Sequence, residues 1–456
     1  MKRFNYLLVI GLLATSLFSS CSSDDDNNAD PGIITPGSTT LTGVISSSVT
    51  LTKDKVWTLE GFVYVTGSNT TLTIQPGTKI ISKRANAGVL VITRGAKIQA
   101  RGTAAEPIVF TSGETTPAPG DLGGVVVAGS APGNGNHAQM EGVSDANYNK
   151  FGGSVENDNS GALQYIRIEY AGKTANPNDE VNGLSMYGVG SGTTVDHIEV
   201  LRGLDDAFEF FGGSFNAKYL IAYACADDDF DFDDGYHGNL QYLISIKDPN
   251  FTDTKTGGDV SNNLEWDNVG SGKDYNLTPK THARISNLTA IGNNGTASDV
   301  RANYGYGARF RRGAEFEIAN SVFVGNQLAS FYIESNEGAA AYNSGTSVFK
   351  NNTVYSVDAG GPLKIGSDVT TVTGFDLAKM ETLATALSKL TSAAGAGLTD
   401  PFNIANANVM PTAGSALLTA GTSFAGNFTT ANGFDNVTYR GALGTTNWAT
   451  GWTLYK

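Results

Sequence analysis

The sequence predicts an all-β solenoid, a parallel β-helix with coils of roughly 22 residues, and three observations carry that prediction. Short runs alternate apolar and polar residues, glycine or proline ends most of them, and one block of the chain repeats. From Leu72-Thr73-Ile74-Gln75-Pro76-Gly77 the chain passes to Val89–Ile92, then Lys97–Arg101, then Ile108–Thr111. Each run is short and has the period of two expected of a strand. The 56 Gly and 13 Pro supply the turns that many short strands need. The repeat is internal: Asp205 to Gly213 aligns with Asp227 to Gly235, and Tyr219 to Ala222 aligns with Gln241 to Ile244 at the same offset. That offset is short for helix-pair repeats and close to one β-helix coil, which buries its apolar face only by stacking on its neighbours.

The early strands resemble the opening coils of bacterial right-handed β-helix proteins of the pectate-lyase-like superfold, and Gly414 to Gly421 resembles their closing coil. The two resemblances bracket about residues 60 to 425 and imply a right-handed parallel β-helix, whose body is assigned to residues 41–374. Longer spacings imply loops inserted at coil corners, the largest at 129–160 and 247–280. After Gly374 the pattern changes. Asp376 can cap a helix whose Leu377, Met380, Leu383, Ala384, Leu387 and Leu390 recur at three and four residues, so residues 375–456 read as a helix plus a C-terminal capping segment. The stretch from Tyr439-Arg440-Gly441 to Trp448 and Trp452 resembles the C-terminal signature of a group of Bacteroidota β-helix proteins. Packing of both tryptophans on the last coil is its simplest use.

The N-terminus carries Lys2 and Arg3, then an apolar run from Phe4 to Phe18, then Ser19, Ser20 and Cys21. A charged start, a short apolar stretch and small residues make residues 1–20 a secretion signal. The apolar run is shorter than the roughly 20 residues a spanning helix needs. Ser19-Ser20-Cys21 resembles the bacterial lipobox, which implies acylation of Cys21 and an outer-membrane lipid anchor. Phe18 stands where such boxes usually carry leucine. Residues 21–40 are polar and unable to bury a core, and so read as a tether. The acidic Asp24-Asp25-Asp26 behind the cysteine resembles the surface-export signal of Bacteroidota lipoproteins, which implies the extracellular side of the outer membrane. Past Cys21 only Cys225 remains, which excludes an internal disulfide framework and reads as core filling.

A formal charge of −14 argues against nucleic acid and anionic lipid and toward cations, neutral glycans or protein. If Phe230 and Phe232 point inward, alternation puts Asp229, Asp231 and Asp233 outside. The neighbouring coils add Glu209, Glu265 and Asp267 to the same face, and Asp227, Asp228 and Asp234 flank it. Like charges on strands about 4.8 Å apart destabilise a sheet unless protons or a cation intervene. Calcium, which accepts six to eight oxygens in adaptable geometry, is the expected occupant. His137, His197, His237 and His282 are scattered and do not suggest zinc. The next coil places Arg309 and Arg311 at the outer positions, with Tyr332, Glu334 and Lys364 beyond. Tyr187, Phe211 and Tyr332 are the expected aromatic ligand-binding surface, while Trp266 should face the core.

This layout is similar to that of calcium-dependent polysaccharide lyases, which implies Arg309 or Arg311 as a base and the carboxylates as metal ligands. No lyase motif is met, and arginines and carboxylates can equally pair across coils. Three functions are therefore carried forward. The first is a non-catalytic surface lipoprotein binding a glycan, a cation or a protein partner. The second is an accessory subunit of an outer-membrane complex such as a TonB-dependent transporter, and the third is a calcium-dependent lyase or hydrolase. The absence of an enzyme motif favours the first.

Overall fold

The computed structural model describes residues 38–176, 179–252, 260–295, 301–422 and 426–455. The expected secretion signal at 1–20, Cys21 and most of the expected tether at 21–40 lie outside the described residues. Among the described residues twenty-six strands join in one sheet, and every strand pairing within it is parallel, as stacked coils require.

Successive coils build three faces. On face A the inward column runs Val63, Leu90, Val125, Leu184, Phe208, Phe230, Leu264, each residue the direct partner of the next. On face B it runs Ile74, Ala100, Leu163, Val195, Ala217, Leu240, Ile285, Ile318, Phe349. Face C stacks Ile80, Phe110, Ile168, Val200, Ala222, Ser245, Ala290, Phe323, Val354. These columns meet in one continuous core. Identical faces recur at each rung because a coil-length period returns the same pattern of alternation to the same register.

One residue turns the chain from face B to face C on seven coils: Tyr165, His197, Tyr219, Tyr242, Asn287, Asn320 and Asn351, all with positive φ between 51° and 65°. The left-handed conformation costs a non-glycine residue roughly 1–2 kcal/mol, and stacking offsets it. Ring centroids of Tyr165 and His197 lie 4.2 Å apart, those of His197 and Tyr219 4.3 Å, and those of Tyr219 and Tyr242 5.0 Å. Further along, Asn351 donates its side-chain amide to Asn320.

The insertion at 129–160 follows the strand Gly124–Ala128, and the chain rejoins the solenoid at Gly161–Glu169. Gly161 (φ 118°) needs to be glycine, since a Cβ there would meet the carbonyl oxygen of Ile98. The 247–280 region is divided by the strand Leu264–Trp266, so two loops rather than one leave that coil.

The C-terminal expectations need correction. Asp376 does cap a helix, accepting a hydrogen bond from Lys379 N at 2.8 Å, but α2 (Leu377–Leu383) stops before Leu387 and Leu390. Ala386 takes a positive φ and Ser388–Lys389 pairs with the strand at Thr353–Val354 as the last rung. Pairing with the open sheet edge overrides the helical spacing. A second helix, α1 (Asn336–Ser344), capped by Ser335 and ended by Gly345, precedes it.

Gly414 to Gly421 is not a coil: Ala416–Leu418 is a 3-10 turn, and Leu417 packs on outward residues of face C such as Val322 and Val324. Trp448 and Trp452 pack not on the last coil but on the corner stack of the middle coils. Trp452 sits edge-on to Tyr165 and His197, and Trp448 edge-on to Tyr219. Arg440, 4 % exposed, closes the asparagine end of the corner by donating to Asn351 Oδ1 at 2.5 Å and to the carbonyls of Asn352 and Ala386. Cys225 is buried, and burial pushes its thiol up to about 12.

Candidate metal centre

The outer positions of face A change character along the solenoid. One outward column runs Tyr64, Val91, Val126, Ser185, Glu209, Asp231, Glu265, Arg309, Tyr332, Lys364, each partnered with the next. Its apolar start is covered by Met140, Val143, Tyr148 and Phe151 of the 129–160 insertion. Tyr187 and Phe211, expected as ligand-binding surface, lie under that cover at 1 % and 0 % exposure. Their rings stack at 4.2 Å and Phe151 lies 5.0 Å from Tyr187. They are packing residues, buried in one cluster with the loop's apolar side chains, and alternation does not foretell this because the loop gives no strand-like signal in sequence. Tyr332 remains half-buried and stacks on Tyr306 at 4.2 Å. Trp266 points inward and is fully buried.

Past the covered stretch the column opens on a cavity of about 270 Å³. Ten carboxylates line it, from Glu141, Asp205, Asp206, Glu209, Asp227, Asp228, Asp231, Asp233, Glu265 and Asp267, against the bases His137, Arg311 and Arg312. Three trios bring one carboxylate oxygen from each member within 4.8 Å of the others: Asp205–Asp206–Asp227, Asp206–Glu209–Asp231 and Asp228–Asp231–Glu265. Adjacent trios share Asp206 or Asp231. Backbone and amide groups hold the walls: Asp206 Oδ1 accepts from Asp228 N at 2.8 Å, and Asn262 Nδ2 donates to Glu265 Oε1 at 3.0 Å. Asn182 donates to Glu209.

Asp229, expected on the acidic face beside Asp231 and Asp233, is not among the residues that line this cavity. It is fully buried, forms an ion pair with Lys247 Nζ at 3.0 Å and accepts from Ser245 Oγ at 2.5 Å. The chain is still turning at Asp229, and the strand begins at Phe230, so alternation does not extend back to it. Ser245 interrupts the apolar column of face C to receive it.

The electrostatics follow from the crowding. Burial first, and then the charges of neighbouring acids, push Asp206, Glu209, Asp228, Asp231 and Asp233 well above the usual carboxylate range. Burial also raises Asp267, to about 7, against the pull of Arg311 and Arg312. Two carboxylate oxygens shielded from solvent have no hydrogen-bond partner: Asp231 Oδ1 and Asp267 Oδ1. His137 reaches the rim from the insertion, with Nδ1 3.0 Å from Asp234 Oδ2. Burial acts to lower its pKa, but Asp234, Asp233 and Glu141 raise it to about 9, so it is a cation at neutral pH.

Downstream, the arginines are engaged by acids. Arg309 Nε lies 2.7 Å from Glu334 and its Nη1 3.3 Å from Glu265, while Arg312 Nη1 lies 2.7 Å from Asp267 Oδ2. Arg311 bonds Glu265 and approaches Asp267 Oδ2 at 3.6 Å. Although burial opposes it, these partners raise Arg309 above even the ordinary arginine value, the wrong direction for a proton acceptor. A second cavity of about 290 Å³ shares Arg311 and Arg312 and continues the groove to Glu334 and the N-terminus of α1.

Sequence reasoning did not single out Asp205 and Asp206 as site residues, although their alignment with Asp227 and Asp228 in the repeat is the signal that finds them. His137, Glu141, Asn182 and Asn262 reach the cavity from loops and turns, where no periodicity announces them. The family model described as "Pectate-lyase like beta helix domain" matches residues 43–453. No curated protein and no solved structure matches the chain.

Proposed function

The chain belongs to the family of pectate-lyase-like β-helix domains, and from that premise we propose that it is a non-catalytic binding scaffold whose face A cavity holds divalent cations, calcium first among them. Family and fold alone do not carry an activity; the cavity does. The observation that supports the reading most strongly is the pair of shielded, partnerless oxygens, Asp231 Oδ1 and Asp267 Oδ1, in a space lined by ten carboxylates and three bases. Calcium takes oxygens at roughly 2.3–2.6 Å. Carboxylates whose oxygens lie within 4.8 Å of one another fit around one such ion. An all-oxygen set suits calcium over zinc.

The lyase reading loses support at its base, since Arg309 and Arg311 are held by Glu265, Asp267 and Glu334. Lipidation at Cys21 and display on the extracellular side of the outer membrane complete the proposal. They rest on the lipobox-like Ser19-Ser20-Cys21 and the acidic residues behind it. The partner presented to the cation is a glycan or another outer-membrane protein. Calorimetric titration of the chelator-treated protein with calcium tests the core of the proposal. Saturable binding that Asp231→Asn weakens at least tenfold supports it, and no heat of binding at millimolar calcium overturns it. Copurification of a stoichiometric membrane protein from gently solubilised outer membranes would make the scaffold a subunit of that complex.

A further inference from the structure

The outer surface of face B holds a trough of about 250 Å³ that has no lining residue in common with the carboxylate cavity. Its floor spans three consecutive coils, where Asp196, Lys218 and Gln241 are successive register partners and Thr194, Asn216 and Asn239 stand beside them. The corner rings of His197 and Tyr219 form one side, and the C-terminal segment at Asn432–Phe434 closes over it. That roof is pinned. Asn239 Nδ2 donates to Asn432 O at 3.1 Å, Asp435 N donates to Gln241 Oε1 at 2.7 Å, and Lys218 pairs with Asp435 at 2.8 Å. The trough is therefore built into the fold, at the junction of solenoid and C-terminal segment.

Its chemistry selects against charge. Asp196 is satisfied by Gln164 Nε2 at 2.7 Å and His197 Nδ1 at 2.8 Å, and Lys218 by Asp435. What is left to a ligand is the exposed amide of Asn216 and the part-exposed hydroxyl of Thr194, beside the edge of the half-buried Tyr219 ring; Asn432 Nδ2 is committed to Asn427 O at 2.7 Å and Phe434 is buried. Asn216 Oδ1 accepts from Asn239 N at 2.9 Å, which leaves its NH₂ for a ligand. Amides donate and accept at once, which matches hydroxyl groups that do the same. Equivalent side chains recur about every 4.8 Å along the coils, a step comparable to one pyranose ring.

We propose that this trough is a subsite for a neutral hexopyranose unit of a glycan, independent of the cation cavity. The test is calorimetric titration of the full-length protein in detergent and EDTA with neutral cello-, xylo-, manno- and malto-oligosaccharides, and with oligogalacturonate as the charged comparison. One neutral series is expected to bind saturably in the millimolar range or tighter. Asn216→Trp, which fills the trough from an exposed position, should weaken that binding at least tenfold, and Asn432→Trp should do the same from the roof. Asp231→Asn should leave it unchanged, with melting curves of all three showing an intact fold. Absence of binding by every neutral series, binding by oligogalacturonate alone, or binding that survives both tryptophan variants overturns the proposal.

Discussion

Two ladders run along this solenoid, and they end in opposite states. At the corner between faces B and C, seven residues repeat one conformation, and the chemistry of each rung agrees with the next: rings stack on rings, then amides bond amides. On the outside of face A the register is equally strict, but Glu209, Asp231 and Glu265 set like charges side by side. The first ladder satisfies itself and is sealed by the C-terminal segment. The second is left with shielded, partnerless oxygens. Coil stacking thus amplifies whatever it repeats. Agreement between rungs yields stability, while disagreement leaves a deficit that a cation can fill.

The sharpest division falls within the run Asp227–Asp234. Asp229 has its own base in Lys247, both of them buried, and belongs with the satisfied structure. Lys247→Met should leave an uncompensated buried charge and lower stability by about 3–5 kcal/mol, with the calcium response unchanged. A Lys247→Met protein whose unfolding midpoint in urea is unaltered would erase the distinction between Asp229 and its neighbours. The next effect belongs to the cavity. Calcium at a hundred times its dissociation constant should stabilise the protein by about 2.7 kcal/mol, read as a higher melting temperature than in chelator. Asp231→Asn should remove that increment and, by relieving repulsion, melt above the wild type when both are in chelator. Equal melting with and without calcium would leave the carboxylate ladder without an ion.

The corner ladder should answer differently. Asn320→Ala removes the acceptor of Asn351 and the partner of Thr422 N and Thr422 O, leaving the buried Asn351 amide unmet at a cost of about 1–3 kcal/mol. Calcium should not rescue it. Rescue by calcium would mean that the two ladders are coupled.

The sequence shows the fold and the register of the acidic ladder more clearly than the site itself. Alternation and the coil period place Glu209, Asp231 and Glu265 side by side, because both are properties of the strand and survive into the stacked structure. They fail at Asp229, which lies in a turn before the alternation starts. They also fail at Tyr187 and Phe211, whose exposure is decided by a loop about fifty residues earlier in the chain. The corner ladder is invisible to alternation, since tyrosine, histidine and asparagine share no hydropathy pattern there and only the positive φ unites them. The C-terminal helix is legible as far as its cap, while its end is set by a sheet edge that the local spacing does not record.

The smallest expected effect concerns how the C-terminal segment is held along the corner. Glu199 is fully buried, and both its oxygens accept backbone N–H bonds, from Leu454 and Tyr455 at 2.8 Å each. Those bonds favour the anion, as does Arg167, but burial outweighs them and raises the group to about 7. A carboxylate whose folded pKa lies above its unfolded value binds more protons when folded. Its contribution to stability is therefore complete below the ordinary glutamate range and is lost as pH rises toward about 7. Between about pH 6 and pH 8 the loss amounts to about 1.4 kcal/mol. Glu199→Gln should flatten that part of the profile while keeping an acceptor for one of the two N–H groups. Hydrogen-exchange protection factors at Leu454 and Tyr455, with the intrinsic rise of amide exchange with pH divided out, locate the effect: lower protection at the higher pH in the wild type, with no such change in the glutamine variant, ties the slope to the anchoring of the segment. If protection there is insensitive to pH, the segment is held by its other contacts, Trp448, Trp452 and Arg440 among them, and the satisfied ladder needs no help from this carboxylate.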